Sequence, residues 1–177
     1  MAARSGFVIL FSILFFLKLA GQQYDFVNYG LDHGLPQSSI FCIHHDSRGY
    51  VWVGTESGVS RFNGIEFETF DKNSGLPGNS VRGIAETNDG RIWVGTENGI
   101  AYLQNRNWIP VSPFNNDAAL TVTKLVIDHH QRIWVATNEA GLYVIESTVD
   151  SLKVTNINSS KGLSSDFVLD ILHLDND

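Results

Sequence analysis

A single cysteine, Cys42, stands among the 177 residues, which excludes an internal disulfide. In a strand expected over Ile40 to His45 it reads as a small apolar side chain rather than a reactive thiol. Basic residues are scarce too: 12 Lys and Arg face 19 Asp and Glu, for a net charge of -7, and that balance argues against nucleic acid as a partner. Also missing are a Gly-x-Ser-x-Gly elbow, a His-Glu-x-x-His zinc signature, a phosphate loop and a dinucleotide fingerprint. Catalysis therefore has no positive support, and the sequence calls for no cofactor and no metal. Low hydrophobicity is absent as well: 43% hydrophobic residues with 18% charged describe a foldable chain rather than a disordered one.

The first 21 residues differ from the rest. Arg4 supplies a positive start, Phe7 to Leu17 is apolar apart from Ser12, and Ala20-Gly21 adds small residues. The pattern is that of a secretory signal peptide over 1–21. The rival is a membrane anchor, but the run is 11 residues where a span takes roughly 18 or more. No Cys follows it, which argues against a lipoprotein anchor. Removing 1–21 takes away Arg4 and Lys18 and no acid, moving the net charge from -7 to -9.

What the chain has in abundance is repetition, the signal that decides architecture. Val51-Trp52-Val53-Gly54-Thr55, Ile92-Trp93-Val94-Gly95-Thr96 and Ile133-Trp134-Val135-Ala136-Thr137 are one pentad, with the tryptophans 41 residues apart. Gly34-Leu35-Pro36 recurs as Gly75-Leu76-Pro77, degenerates to Ala118-Ala119-Leu120 and returns as Gly162-Leu163. Turn residues divide the first unit into strands near 40–45, 50–55, 58–62 and 65–70, with Asn63-Gly64 as a two-residue hairpin turn. Alternation puts Trp52 and Gly54 on one side of a strand, and the expectation is that the ring fills the space between sheets while Gly54 and Gly95 leave room for the rings of Trp52 and Trp93.

Four antiparallel strands per 41 residues predict an all-β fold, a β-propeller. Leucine-rich repeats have shorter periods and a Leu ladder that this chain lacks. The expected blades run roughly 30–70, 71–113 and 114–158, with the start of a fourth at 159–177, so the propeller is incomplete in this chain.

The unit Gly-Leu-Pro followed by Asp-Ser-Arg-Gly-Tyr-Val-Trp-Val-Gly-Thr-Glu-Ser-Gly-Val-Ser-Arg-Phe-Asn-Gly resembles the two-component regulator propeller repeat. The third unit departs from it, with Ala136 for Gly and one extra residue over Thr137 to Gly141. The resemblance implies the periplasmic sensor region of a membrane-bound histidine kinase, including hybrid kinases, with a transmembrane helix and kinase domain further along the same protein. It also implies an extracellular small molecule or saccharide as ligand, and it leaves a homodimer open. Two other classes remain: a secreted stand-alone binding or adhesion propeller with no signalling output, and a propeller-fold enzyme such as a polysaccharide lyase, for which no residue constellation speaks.

Antiparallel order places the Gly-Leu-Pro linkers on the same face as the turns holding Glu56, Glu97 and Asn138-Glu139, around the mouth of the central channel. These are the candidate ligand residues, although polar residues in turns need no function. Asp46, Asp89 and Asp128 are expected in opposite-face turns, accepting from nearby backbone N–H groups. Glu66 and Glu68 are expected on one face of an outermost strand as edge-protecting charges. His44-His45 and His129-His130, as strand neighbours, point to opposite faces and cannot share a metal ion.

Overall fold

The computed structural model describes residues 25–111, 120–147 and 151–172; the expected signal peptide, residues 112–119, and the last five residues lie outside them. The strands are β1 (Ile40–His45), β2 (Val51–Thr55), β3 (Gly58–Phe62), β4 (Phe67–Phe70), β5 (Val81–Glu86), β6 (Ile92–Thr96), β7 (Gly99–Gln104), β8 (Asn107–Pro110), β9 (Val122–Ile127), β10 (Ile133–Thr137), β11 (Leu142–Ser147) and β12 (Leu152–Ile157). They form three four-stranded antiparallel meanders in chain order, β1 to β4, β5 to β8 and β9 to β12. The fold is all-β, three propeller blades that do not close a ring. Inner strand β5 packs on β1 at one side and on β9 at the other. Among the described residues no helix is long and apolar enough to cross a membrane.

The blades adhere through two apolar layers. Trp52, fully buried, shares one layer with Val81, Ile92 and Trp108 of the second blade, with Trp108 edge-on to it at 6.1 Å between centroids. Trp93 belongs to the layer that holds Val122, Leu125 and Ile133 of the third. Burying one such ring removes roughly 150–250 Å² from water, an upper value of about 4–6 kcal/mol.

The ring does fill the space between sheets, but the glycine beside it serves another neighbour. A Cβ on Gly54 would lie 2.5 Å from Cys42 Sγ and 2.7 Å from the Val81 carbonyl, and one on Gly95 would lie 2.4 Å from Val122 Cγ1. The small residue makes way for the first residue of the next inner strand and, at Gly54, for Cys42 of its own inner strand, not for its own blade's tryptophan. Linkers carry their own signature: a 3-10 turn precedes Gly34, Gly75 and Gly162, each in the left-handed region at φ 96 to 99°. Only glycine enters that region without strain, and Leu35 and Leu76 follow directly into the core.

The Asn63-Gly64 expectation is corrected. Phe62 pairs with Phe67, so the loop has four residues, and Asn63 Oδ1 accepts from the N–H groups of Ile65 and Glu66 at 2.9 Å. The corresponding β7–β8 connection of the second blade does have two residues, Asn105 and Arg106, with φ of 50° and 69° between paired Gln104 and Asn107. Strand β4 consequently starts at Phe67, and Glu66 lies in the loop. Glu68 alone stays in the strand, paired with Arg61 and with Arg106 at 3.0 Å.

Candidate functional site

The linkers and the β2–β3, β6–β7 and β10–β11 turns do share one face, and the hydrogen bonds between them show what those turns are for. Glu97 accepts from Asn79 N–H at 3.0 Å and Ser80 N–H at 2.8 Å, while Asn98 Nδ2 reaches the Pro77 carbonyl at 3.3 Å. Glu97 is therefore spent on holding its own blade's linker. Asn138 donates its backbone N–H to the Thr121 carbonyl at 3.0 Å. Glu56 is exposed. The three do not converge on a common point through any hydrogen bond.

What converges lies one step inward. In every blade the first strand carries a β-bulge: the register slips between Ile40 and Cys42, between Val81 and Gly83, and between Val122 and Lys124. The extra residues are Phe41, Arg82 and Thr123, 41 positions apart in sequence. A bulge leaves one residue unpaired and re-aims its side chain. All three line a cleft of about 290 Å³ along the inner strands, with Lys124 and Asp170 completing its wall. Residues 163–172 reach this cleft from the third blade's linker: Val168 N–H donates to the Thr137 carbonyl at 3.0 Å, and Asp170 pairs with Lys124 at 3.2 Å.

Sequence reasoning missed this cleft because it ranked turns above strands. A usable signal was present: between apolar positions that repeat, residues 41, 82 and 123 change from aromatic to cationic to hydroxyl. Cys42, beside the cleft, has its thiol pushed up to about 11 by burial, so it stays protonated and inert at neutral pH.

The opposite face is structural. Asp46 accepts from the N–H groups of Arg48 at 3.0 Å and Tyr50 at 2.8 Å, and from Trp52 Nε1 at 2.8 Å. Burial alone would raise its pKa, but these donors outweigh it and hold the carboxyl below its ordinary value. Asp128 repeats the arrangement with His130, Arg132 and Trp134 Nε1, and its carboxyl is likewise held well down against burial. Asp89 accepts from Arg91 N–H at 3.3 Å. His129 and His130 lie in the β9–β10 turn rather than in a strand, with ring centroids 3.8 Å apart. The opposite-face argument thus does not apply to them, and among the described residues no three metal-binding side chains gather.

Comparison with known proteins bears on both fold and repeat. Residues 34–57 and 75–98 match the family described as two component regulator propeller. A histidine kinase, Histidine kinase P4 of Formosa agariphila, is 39% identical over 64 residues, which is 36% of this chain and 5% of the kinase. The extracellular domains of two hybrid two component systems of B. thetaiotaomicron share the fold. One has a TM-score of 0.62 and 21% identity over 76% of this chain, and the other 0.60 and 22% over 71%. The chain spans 21% and 18% of those two chains.

Proposed function

From the premise that this chain is built of two-component regulator propeller repeats, we propose that it is the sensory end of an exported two-component receptor. Residues 1–21 direct export, the blades stand outside the cytoplasmic membrane, and a ligand at the inner-strand cleft biases how the propeller packs on its neighbouring domain. Such a bias requires different affinity for the two packings, and an open cleft built from bulged residues of successive blades is sensitive to how those blades sit. A kinase elsewhere in the same protein reads the change. The observation that carries the reading is the 39% identity to a histidine kinase over 64 residues. The likeness to extracellular domains supports the side of the membrane. The blades themselves perform no chemistry in this reading: their buried carboxylates, Asp46 and Asp128, are occupied by indole and turn N–H donors.

Export is tested by fusing alkaline phosphatase after residue 172, since that reporter is active only outside the cytoplasm. Activity that disappears when residues 1–21 are deleted supports the proposal. A silent fusion, or one indifferent to the deletion, contradicts it.

A further inference from the structure

The inner-strand cleft holds a cation for which the described residues offer no carboxylate. Of the six described arginines, Arg48, Arg61, Arg91, Arg106 and Arg132 each pair with an Asp or Glu. Arg82 has no carboxylate partner among the described residues, although the chain carries a net charge of -7. Its guanidinium lies over the ring of Phe41, 4.5 Å from the centroid. This cation–π contact uses none of the guanidinium N–H donors, and among the described residues they make no hydrogen bond, so they can form a two-pronged contact with an anion. Phe41 and Arg82 are the bulged residues of adjacent blades, so two separate departures from regular pairing bring this couple together. The cleft is also lined by Lys124, which meets Asp170 with side chains 44% and 71% exposed, a solvated pair that holds weakly and exchanges easily.

We propose that this cleft binds a small organic anion with an apolar face. Its carboxylate or sulfonate group takes the N–H donors of Arg82, its body lies along Phe41 and the exposed Ile43, and Lys124 turns from Asp170 to supply a second charge. A volume of about 290 Å³ is at the lower limit of small-molecule pockets and suits one ring with its charged group. A neutral polyol would leave Arg82 without a carboxylate or other anion among the described residues. The inference rests on the reading that the inner-strand cleft is the sensing site.

The test is isothermal titration of the purified full-length protein with benzoate, benzenesulfonate and benzyl alcohol. Both anions bind saturably, more weakly as salt rises, and the alcohol does not. Arg82→Gln weakens the anions at least tenfold, Arg82→Lys weakens them less, and Lys153→Gln on the outermost strand of the third blade changes nothing. Arg82 is exposed, so an unchanged melting temperature verifies that Arg82→Gln is folded. Benzyl alcohol binding as tightly as benzoate, no saturable anion binding, or Arg82→Gln binding like the parent would each overturn the proposal. If a neutral sugar binds instead and Phe41→Ala abolishes it, the ligand class is wrong and the cleft stands. If neither substitution alters any ligand's binding, the cleft falls as well.

Discussion

The first and second blades are built on the same pentad, yet they hold their tryptophans differently. Six residues before Trp52 stands Asp46, whose carboxylate takes the indole N–H and two turn N–H groups. Six before Trp93 stands Thr87, whose hydroxyl turns to Asp89 and to the Arg91 carbonyl at 3.2 Å. Trp93 Nε1 is buried with no hydrogen-bond partner. The third blade sides with the first through Asp128 and Trp134. Between the first two blades, burial of the ring does not depend on the hydrogen bond to it: Trp93 is as buried as Trp52 without an acceptor. Leaving a buried donor unpaired still costs about 1–3 kcal/mol, so the second blade should be the weaker of the two in this respect.

Replacing the carboxylate itself should have the largest effect. Asp46→Ala strands the Trp52 indole and two turn N–H groups at once, and urea unfolding of the full-length chain should lose about 2–4 kcal/mol. Thr87→Ala should lose less than about 1 kcal/mol, because no indole depends on it. Equal losses would erase the distinction. The same variant reports on pH. The folded pKa of Asp46 is held below its ordinary value, which in the unfolded chain is about 3.9, so its contribution is complete above roughly pH 4 to 5 and lost as pH falls through the folded value. Asp46→Ala should therefore flatten the acid limb of the stability curve.

Next in size is Gly54→Ala. The new methyl meets backbone at Val81, 2.7 Å away, which cannot yield as a flexible side chain would, and about 1–3 kcal/mol should be lost. Were Gly54 merely making room for Trp52, the loss would follow the size of residue 52; a Trp52→Phe background that fails to relieve it identifies Val81 and Cys42, and not the indole, as the obstacle.

Thr87→Asp approaches the two blades from the other side. Supplying the acceptor that Trp93 lacks should gain about 1 kcal/mol and move the Trp93 indole proton toward the positions of Trp52 and Trp134 in an NMR spectrum. No movement would mean that the second blade is shaped against the contact. The smallest effect belongs to the β7–β8 turn. Arg106→Gly relieves a left-handed residue and should gain roughly 0.5 kcal/mol, offset in part by the exposed contact to Glu68.

Periodicity made the scaffold readable. The 41-residue spacing placed the first three strands of the opening blade to within a residue, because the same strand pentad recurs around Trp52, Trp93 and Trp134. Local chemistry read less well. Asn63-Gly64 suits a tight turn, but the pairing of Phe62 with Phe67, whose rings stack at 4.5 Å, fixes a longer loop. The site was the least legible part. Glu56, Glu97 and Asn138 attracted attention as polar turn residues, and Glu97 proved to be a linker clamp. Phe41, Arg82 and Thr123 owe their position to bulges, which arise from strand register across a sheet; their one mark in the sequence is a spacing of three between the apolar residues that flank them, where strand alternation calls for an even number.

The receptor reading meets its most direct test in the coding frame past the codon for Asp177. It requires further Trp-Val-Gly-Thr units, then a spanning helix of about 20 apolar residues and a histidine-kinase core. A frame that stops, or that closes the propeller and ends with no membrane segment, would contradict the receptor and leave a secreted binding propeller in its place.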